Sequence, residues 1–199
     1  MCVLYVAKFR GPFGFIKPFT AVRDETTFSQ QFLTASTLEG IEKKLFPETL
    51  SQKGLQKIAR YKIIYTMISL QKEVTQTRGW EYKKQQSLMI RNRAVLERGL
   101  LIDPELLLAF IDKDSAEIAI KQHICVCRNE DILLPDPEVV AMDENAFNEL
   151  EGFELRFGEA EDSFITGFHR FDNATPMYGR LEITGNPVNN KKECPSSIY

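Results

Sequence analysis

Only two histidines, His123 and His169, occur among the 199 residues, which narrows the chemistry open to this chain. Hydrolytic sites draw heavily on imidazole, as metal ligand or proton carrier. No metalloprotease-type His pair, no nucleophile elbow and no glycine-rich phosphate loop is present. His123 stands in an apolar stretch and reads as a core or interface residue. His169, within Phe168-His169-Arg170-Phe171, acts as acid or base only if a substrate reaches it. The acidic pairs Glu130-Asp131 and Glu161-Asp162 read as solvated faces rather than metal ligands. No catalytic residue, metal or cofactor is therefore assigned, and the chain is not expected to be an enzyme.

Cysteine is also scarce. Cys2, Cys125, Cys127 and Cys194 contain no paired spacing of the zinc or redox type and no disulfide framework. Alternation in Ile124-Cys125-Val126-Cys127 puts two thiols on one face of a strand, and with no second ligand pair they read as core thiols. No apolar run approaches the ~18–20 residues of a membrane helix. The apolar start, Met1 to Val6, is soon interrupted by Lys8 and Arg10 and has neither a charged leader nor a small-residue cleavage site. A soluble, cytoplasmic protein without a membrane partner is expected.

What the chain does have is a charge split. Residues 1–100 hold 17 basic and 8 acidic side chains, a net of +9; residues 101–199 hold 8 and 20, a net of −12. A basic half favours a polyanion and an acidic half a basic protein neighbour. Alternatively, the halves fold together and neutralise each other.

The pattern along the chain predicts a strand over 2–10, a break at Gly11-Pro12 and an irregular aromatic, basic stretch at 13–19. Ser36 and Glu39 have capping-box spacing, with Leu38, Ile41 and Leu45 on one helical face and Pro47 at the end. Residues 50–60 read as a short helix or loop, and Tyr61 to Leu70 as a strand. Residues 71–93 read as a long exposed hairpin or mobile loop, with six cations around Trp80 and Tyr82. Asp103-Pro104 has the form of a helix start, but Glu105 to Phe110 fits a buried strand equally. A helix capped by Ser115, then extended segments at 123–126 and 131–140, complete the first 144 residues. The acidic segment 145–199 holds alternating Phe153, Leu155 and Phe157, then Leu181 and Ile183, which predicts a small extra hairpin before a loose tail from 185. The order strand, helix, strand, hairpin, strand, helix, strand is that of an α+β, ferredoxin-like (RRM-like) split βαβ core. The expected domains are residues 1–144, with a basic thumb at 71–93, and a C-terminal β extension at 145–199.

Three segments carry a resemblance. Val6-Ala7-Lys8-Phe9-Arg10-Gly11-Pro12-Phe13-Gly14-Phe15 looks like a first strand and its aromatic turn, and Thr34-Ala35-Ser36-Thr37-Leu38-Glu39-Gly40-Ile41 like a helix entry. Arg98 to Ile111, then Val126-Cys127-Arg128-Asn129-Glu130-Asp131-Ile132-Leu133-Leu134, follow the same family order. Over roughly residues 1–140 the chain resembles the Cas-five family of the RAMP superfamily, the guide-RNA-binding subunits of type I CRISPR Cascade complexes. A related backbone subunit of a type III complex is the other possibility. The chain departs from the family where Gln31 to Ala35 replace a proline run and Cys127 replaces a glycine.

The resemblance implies a non-catalytic, antiviral-defence subunit that holds the 5′ handle of CRISPR guide RNA and caps the backbone. Its implied partners are a Cas-seven-like backbone subunit and the large subunit of the interference complex. Some relatives mature precursor RNA themselves, which leaves a metal-independent endoribonuclease using Tyr82, Lys83 or His169 as the alternative. A protein-interaction subunit without RNA contact is a third reading.

The residues themselves suggest where RNA would sit. Lys72, Arg78, Lys83, Lys84, Arg91 and Arg93 are candidates for phosphates, with Trp80 and Tyr82 for base stacking or, for Trp80, as a core anchor. Arg10, Phe15, Lys17 and Arg23 follow the first strand, with Phe13 and Phe15 alternatively buried. Thr34 and Ser36 mark a helix N-terminus that favours phosphate. Arg98 and Arg128 are weaker candidates that read equally as rim ion pairs.

Overall fold

The computed structural model describes residues 3–19, 25–76, 79–169 and 174–189. The chain opens with β1 (Val3–Arg10), followed by the short β2 (Phe13–Gly14) and β3 (Thr26–Phe28). α1 (Ala35–Leu45) turns Leu38, Ile41 and Leu45 inward, as the periodicity predicts. A single 3-10 turn (Pro47–Thr49) leads to β4 (Ile58–Ile64), β5 (Met67–Gln76), β6 (Glu81–Lys83), β7 (Leu88–Ile90), β8 (Arg93–Ile102) and β9 (Glu105–Phe110). Then come α2 (Lys113–Ala119), β10 (Ile124–Cys125), β11 (Ile132–Asp143), α3 (Glu144–Glu149), β12 (Gly152–Phe157), β13 (Phe164–Phe168) and β14 (Pro176–Thr184).

The central eight-stranded sheet has the order β10-β11-β1-β9-β4-β12-β14-β13. β9 lies between β1 and β4 and is antiparallel to both, while β11 flanks β1. This is the split βαβ arrangement: β1-α1-β4 and β9-α2-β11 interleave, so the α+β ferredoxin-like expectation holds. β12 continues the sheet beyond β4 through the pair Phe153 and Ile63, and β14 and β13 follow. Phe153 and Leu155 sit in the main core with Phe9, Leu106 and Phe110. Segment 185–189, expected to be loose, is tied to β4's end: Tyr65 N–H donates to Pro187 O (3.1 Å) and Asn189 N–H to Tyr65 O (2.9 Å).

β8 leaves the central sheet's neighbourhood as part of a second sheet. It pairs with β2 and β3 on one edge and with β5 on the other. β5 and β8 are in continuous register from Met67 opposite Ile102 to Gln76 opposite Arg93. β6 and β7 form a separate two-stranded hairpin in the connection. The expected hairpin at 71–93 is thus longer, spanning 67–102.

Several local expectations change. The cap of α1 is Thr34, whose hydroxyl accepts from Thr37 N–H (3.4 Å); Ser36 is already inside the helix. Glu39 instead pairs with Lys43 at 2.6 Å. The cap of α2 is Asp112, which accepts from the N–H of Ser115 (2.7 Å), so Ser115 is the capped residue. Residues 105–110 are a strand because Asp103, at φ 47°, turns the chain tightly from β8 into β9. The strand predicted over Tyr61 to Leu70 is two strands, divided at Tyr65-Thr66. Cys125 is half-buried and Cys127 exposed, which corrects the core-thiol reading: β10 is an edge strand of two residues and the chain turns away after it.

Tyr61 ties α1's entry to the C-terminal strands. Its buried hydroxyl donates to Leu33 O (2.8 Å) and accepts from the N–H of Leu33 and of Leu155 (both 2.9 Å). That uses its one donor and both acceptor sites. Burial raises the phenol pKa well above its ordinary value of 10.0. Tyr61→Phe leaves three buried backbone groups unpaired and is expected to cost about 2–3 kcal/mol in urea unfolding. A raised phenol pKa means stability that is present below pH 10.0 and lost as pH climbs above it, because the unfolded chain ionises first. The gap between wild type and variant should therefore narrow above that pH; a gap independent of alkaline pH would contradict this role.

Candidate nucleic-acid interface

Opposite charges meet where the two halves share the central sheet. Lys8 pairs with Glu105 (3.0 Å), Arg10 with Asp136 (2.6 Å), and Arg60 with Glu154 (2.7 Å) and Glu144 (3.7 Å). The mutual-neutralisation reading of the charge split is thus realised in the sheet, and Arg10 is committed to β11. The β5–β8 ribbon is different. Lys72, Lys83, Lys84 and Arg93 are exposed and form no ion pair among the described residues. Among the described residues no second-half strand pairs with β5 or β8, so the sheet does not set acidic strands beside the ribbon.

The ribbon's aromatics face water. Trp80 is 60% exposed and Tyr82 55%, so the core-anchor reading of Trp80 is not what the fold adopts. The Arg91 guanidinium lies 5.2 Å from the centre of the Trp80 ring, a cation–π arrangement that holds the indole beside charge. Tyr82 stands opposite Met89 across β6 and β7, and Leu88 and Met89 are exposed as well. A surface of cations with exposed rings suits a flexible polyanion carrying flat bases.

At the ribbon's base, Phe13, Lys72, Glu73, Arg98, Leu100 and Arg128 line an open cleft of about 470 Å³. Phe15 lies close by but is 6% exposed, which corrects its expected place on the RNA surface. Its ring packs into the fold beneath two guanidiniums, Arg128 at 5.4 Å and Arg98 at 6.0 Å. Arg98 also approaches Glu73 at 3.7 Å. Arg128 makes a forked pair with the fully buried Asp131 (2.6 and 2.8 Å), and this side-chain bonding raises its pKa. Arg128 therefore meets the rim-ion-pair reading, and its charge is largely balanced locally.

A second cleft of about 590 Å³ gathers Lys17, Thr34 and Ser36 from the expected set. Lys17 and Ser36 are exposed, while Thr34 is buried with its hydroxyl 3.1 Å from that of Ser36. Sequence reasoning missed Lys43, Lys53, Phe168 and Gly40 on the walls of this cleft, and it left His169 without a neighbourhood. They come from α1, the loop after it and β13, and no local spacing signals their convergence. Arg23 and Arg78 lie outside the described residues. Among the described residues no group of His, Cys, Asp or Glu is placed to hold a metal ion, and no helix is long and apolar enough to cross a membrane.

Comparison with known proteins finds no matching family model and no matching curated sequence. Among solved structures, a chain from one titled "CRISPR RNA-guided surveillance complex" is similar in fold, with a TM-score of 0.53 and 11% sequence identity. The likeness covers 93% of this chain and 91% of that one.

Proposed function

We propose that this protein is a non-catalytic RNA-binding subunit of a CRISPR ribonucleoprotein, which holds the 5′ handle of the guide RNA and caps the backbone. The observation that carries this is the β5–β8 ribbon, where Lys72, Lys83, Lys84, Arg91 and Arg93 are exposed with Trp80 and Tyr82. Cations at that density repel one another, and a bound phosphate chain would relieve the repulsion while releasing counterions. The fold likeness to a surveillance-complex chain supports the same reading. The partners it implies are a Cas-seven-like backbone subunit and the large subunit, with the acidic C-terminal strands offering a surface for a basic neighbour.

The nuclease alternative needs Tyr82, Lys83 or His169 near the cleaved phosphate. His169 lines the second cleft, while Tyr82 and Lys83 stand at the ribbon tip, so that reading would put cleavage at one place or the other. Labelled repeat-derived 5′-handle RNA incubated with the purified chain in EDTA should be bound more tightly than a scrambled RNA of equal length and recovered uncut. Cleavage that disappears in Tyr82→Phe or His169→Ala would transfer the assignment to the endoribonuclease reading. Weak RNA binding that does not change when the ribbon cations are removed would favour a protein-interaction subunit.

A further inference from the structure

The second cleft has features that an extended phosphate track does not explain. Phe168 stands 59% exposed on its rim and Phe19 39%. Phe19 is steadied by its ring contacts with Phe32 and Phe164, each at 6.3 Å between ring centres. His169, beside Phe168, also lines the cleft.

Charge and shape agree with a small anionic guest. Of the three lysines on the cleft, Lys43 is committed to Glu39 at 2.6 Å, and that carboxylate also accepts from Gly54 N–H (3.2 Å). Lys17 and Lys53 are exposed and form no ion pair among the described residues. Gly40 sits inside α1, where glycine weakens a helix relative to alanine. A Cβ there would meet nothing within 4 Å among the described residues, so its absence serves no packing against them. It leaves one wall of the cleft flat. The volume, about 590 Å³, is within the range that encloses small organic ligands.

We infer that this cleft is a pocket for a single unpaired nucleotide, its base seated against Phe168 and its phosphate held by Lys17 and Lys53. The inference rests on the RNA-binding reading above. It adds a base-binding site on the body of the fold, separate from the ribbon cations. A pocket of this kind selects for one splayed-out position of the strand, whereas the ribbon tracks backbone wherever it lies.

The test is an abasic scan. The full chain is titrated with a short single-stranded RNA derived from the repeat, then with versions carrying one abasic nucleotide at each successive position. One position should cost wild type roughly five- to tenfold in affinity, the scale of one lost base–aromatic stack. That position-specific loss should vanish in Phe168→Ala and in Gly40→Leu. The second variant fills the cleft while favouring the helix, so a folding defect cannot mimic its effect. If wild type binds RNA but no position stands out, or the loss persists in both variants, the nucleotide pocket is refuted and the ribbon reading survives. If wild type binds none of the RNAs, both fail together.

Discussion

Changing Lys72, Lys83, Lys84, Arg91 and Arg93 together to alanine is expected to weaken single-stranded RNA binding about 100-fold or more at low salt and to flatten its salt dependence. Each cation that meets a phosphate on a single strand contributes a slope of about −0.7 in the plot of log affinity against log salt. Losing all five should thus reduce the slope by up to about 3.5. The five side chains are exposed, so each removal should move stability by no more than about 0.5 kcal/mol, which thermal melts of the single and fivefold variants check. Arg91 has a second part to play, because its guanidinium lies over the Trp80 ring. Trp80→Ala alone should cost about 1–3 kcal/mol of affinity with little change in slope, as stacking displaces few counterions. An unchanged slope in the fivefold variant would remove the ribbon from the RNA path and direct attention to a protein partner.

Lys62→Ala is expected to be the most damaging single change to the fold, costing about 3–5 kcal/mol in urea unfolding. Lys62 lies on the β4 face opposite Tyr61 and is 1% exposed. Its ammonium donates to Asn148 O (2.9 Å), Leu150 O and Thr184 Oγ1 (3.1 Å), with the Phe147 ring 5.6 Å away. All three ammonium protons are therefore used, and they join β4, the end of α3 and β14 in one knot. Beside it, Arg60 forks onto the buried Glu154 and also donates to Asn148 Oδ1. Burial lowers the Lys62 pKa, and the Glu154 carboxylate opposes that shift. Gly152, at φ 156°, makes room for the stem: a Cβ there would lie 2.7 Å from Lys62 Cβ. Lys62→Met keeps most of the volume and isolates the lost hydrogen bonds. It should still cost about 2 kcal/mol, because two carbonyls and a hydroxyl lose their donor. A loss under about 0.5 kcal/mol in Lys62→Met would mean that water reaches those acceptors and that the knot adds nothing.

The fold was legible in the sequence wherever a signal is local and repeated. β1, α1 and the exposed hairpin each show their period over a full element, and element order then selects the split βαβ topology. Errors cluster where one residue decides. Thr34 and Ser36 are both good caps, and only the helix's entry angle chooses Thr34. The run Glu105 to Phe110 has no period, so its fate hung on the turn at Asp103 and on the slot between β1 and β4. The thumb cations were legible because hairpin residues carry their exposure in their own polarity. Phe15 was not, since the same ring next to glycine suits a turn surface or a core, and the burial beneath Arg98 and Arg128 is non-local.

By itself the sequence determined the ferredoxin-like order of elements, the basic composition of the ribbon and the segregation of charge between halves. The tertiary structure alone decided which charges cancel. Pairing β1 with β11, and setting β4 against β12 and α3, brings Arg10 to Asp136 and Arg60 to Glu154, while no described second-half strand pairs with the ribbon. It also decided that Lys17, Gly40, Lys53 and Phe168 share one cleft. The physical reason is range: alternation and capping act over a few residues, whereas charge cancellation and cavity walls depend on distances that only the sheet order sets.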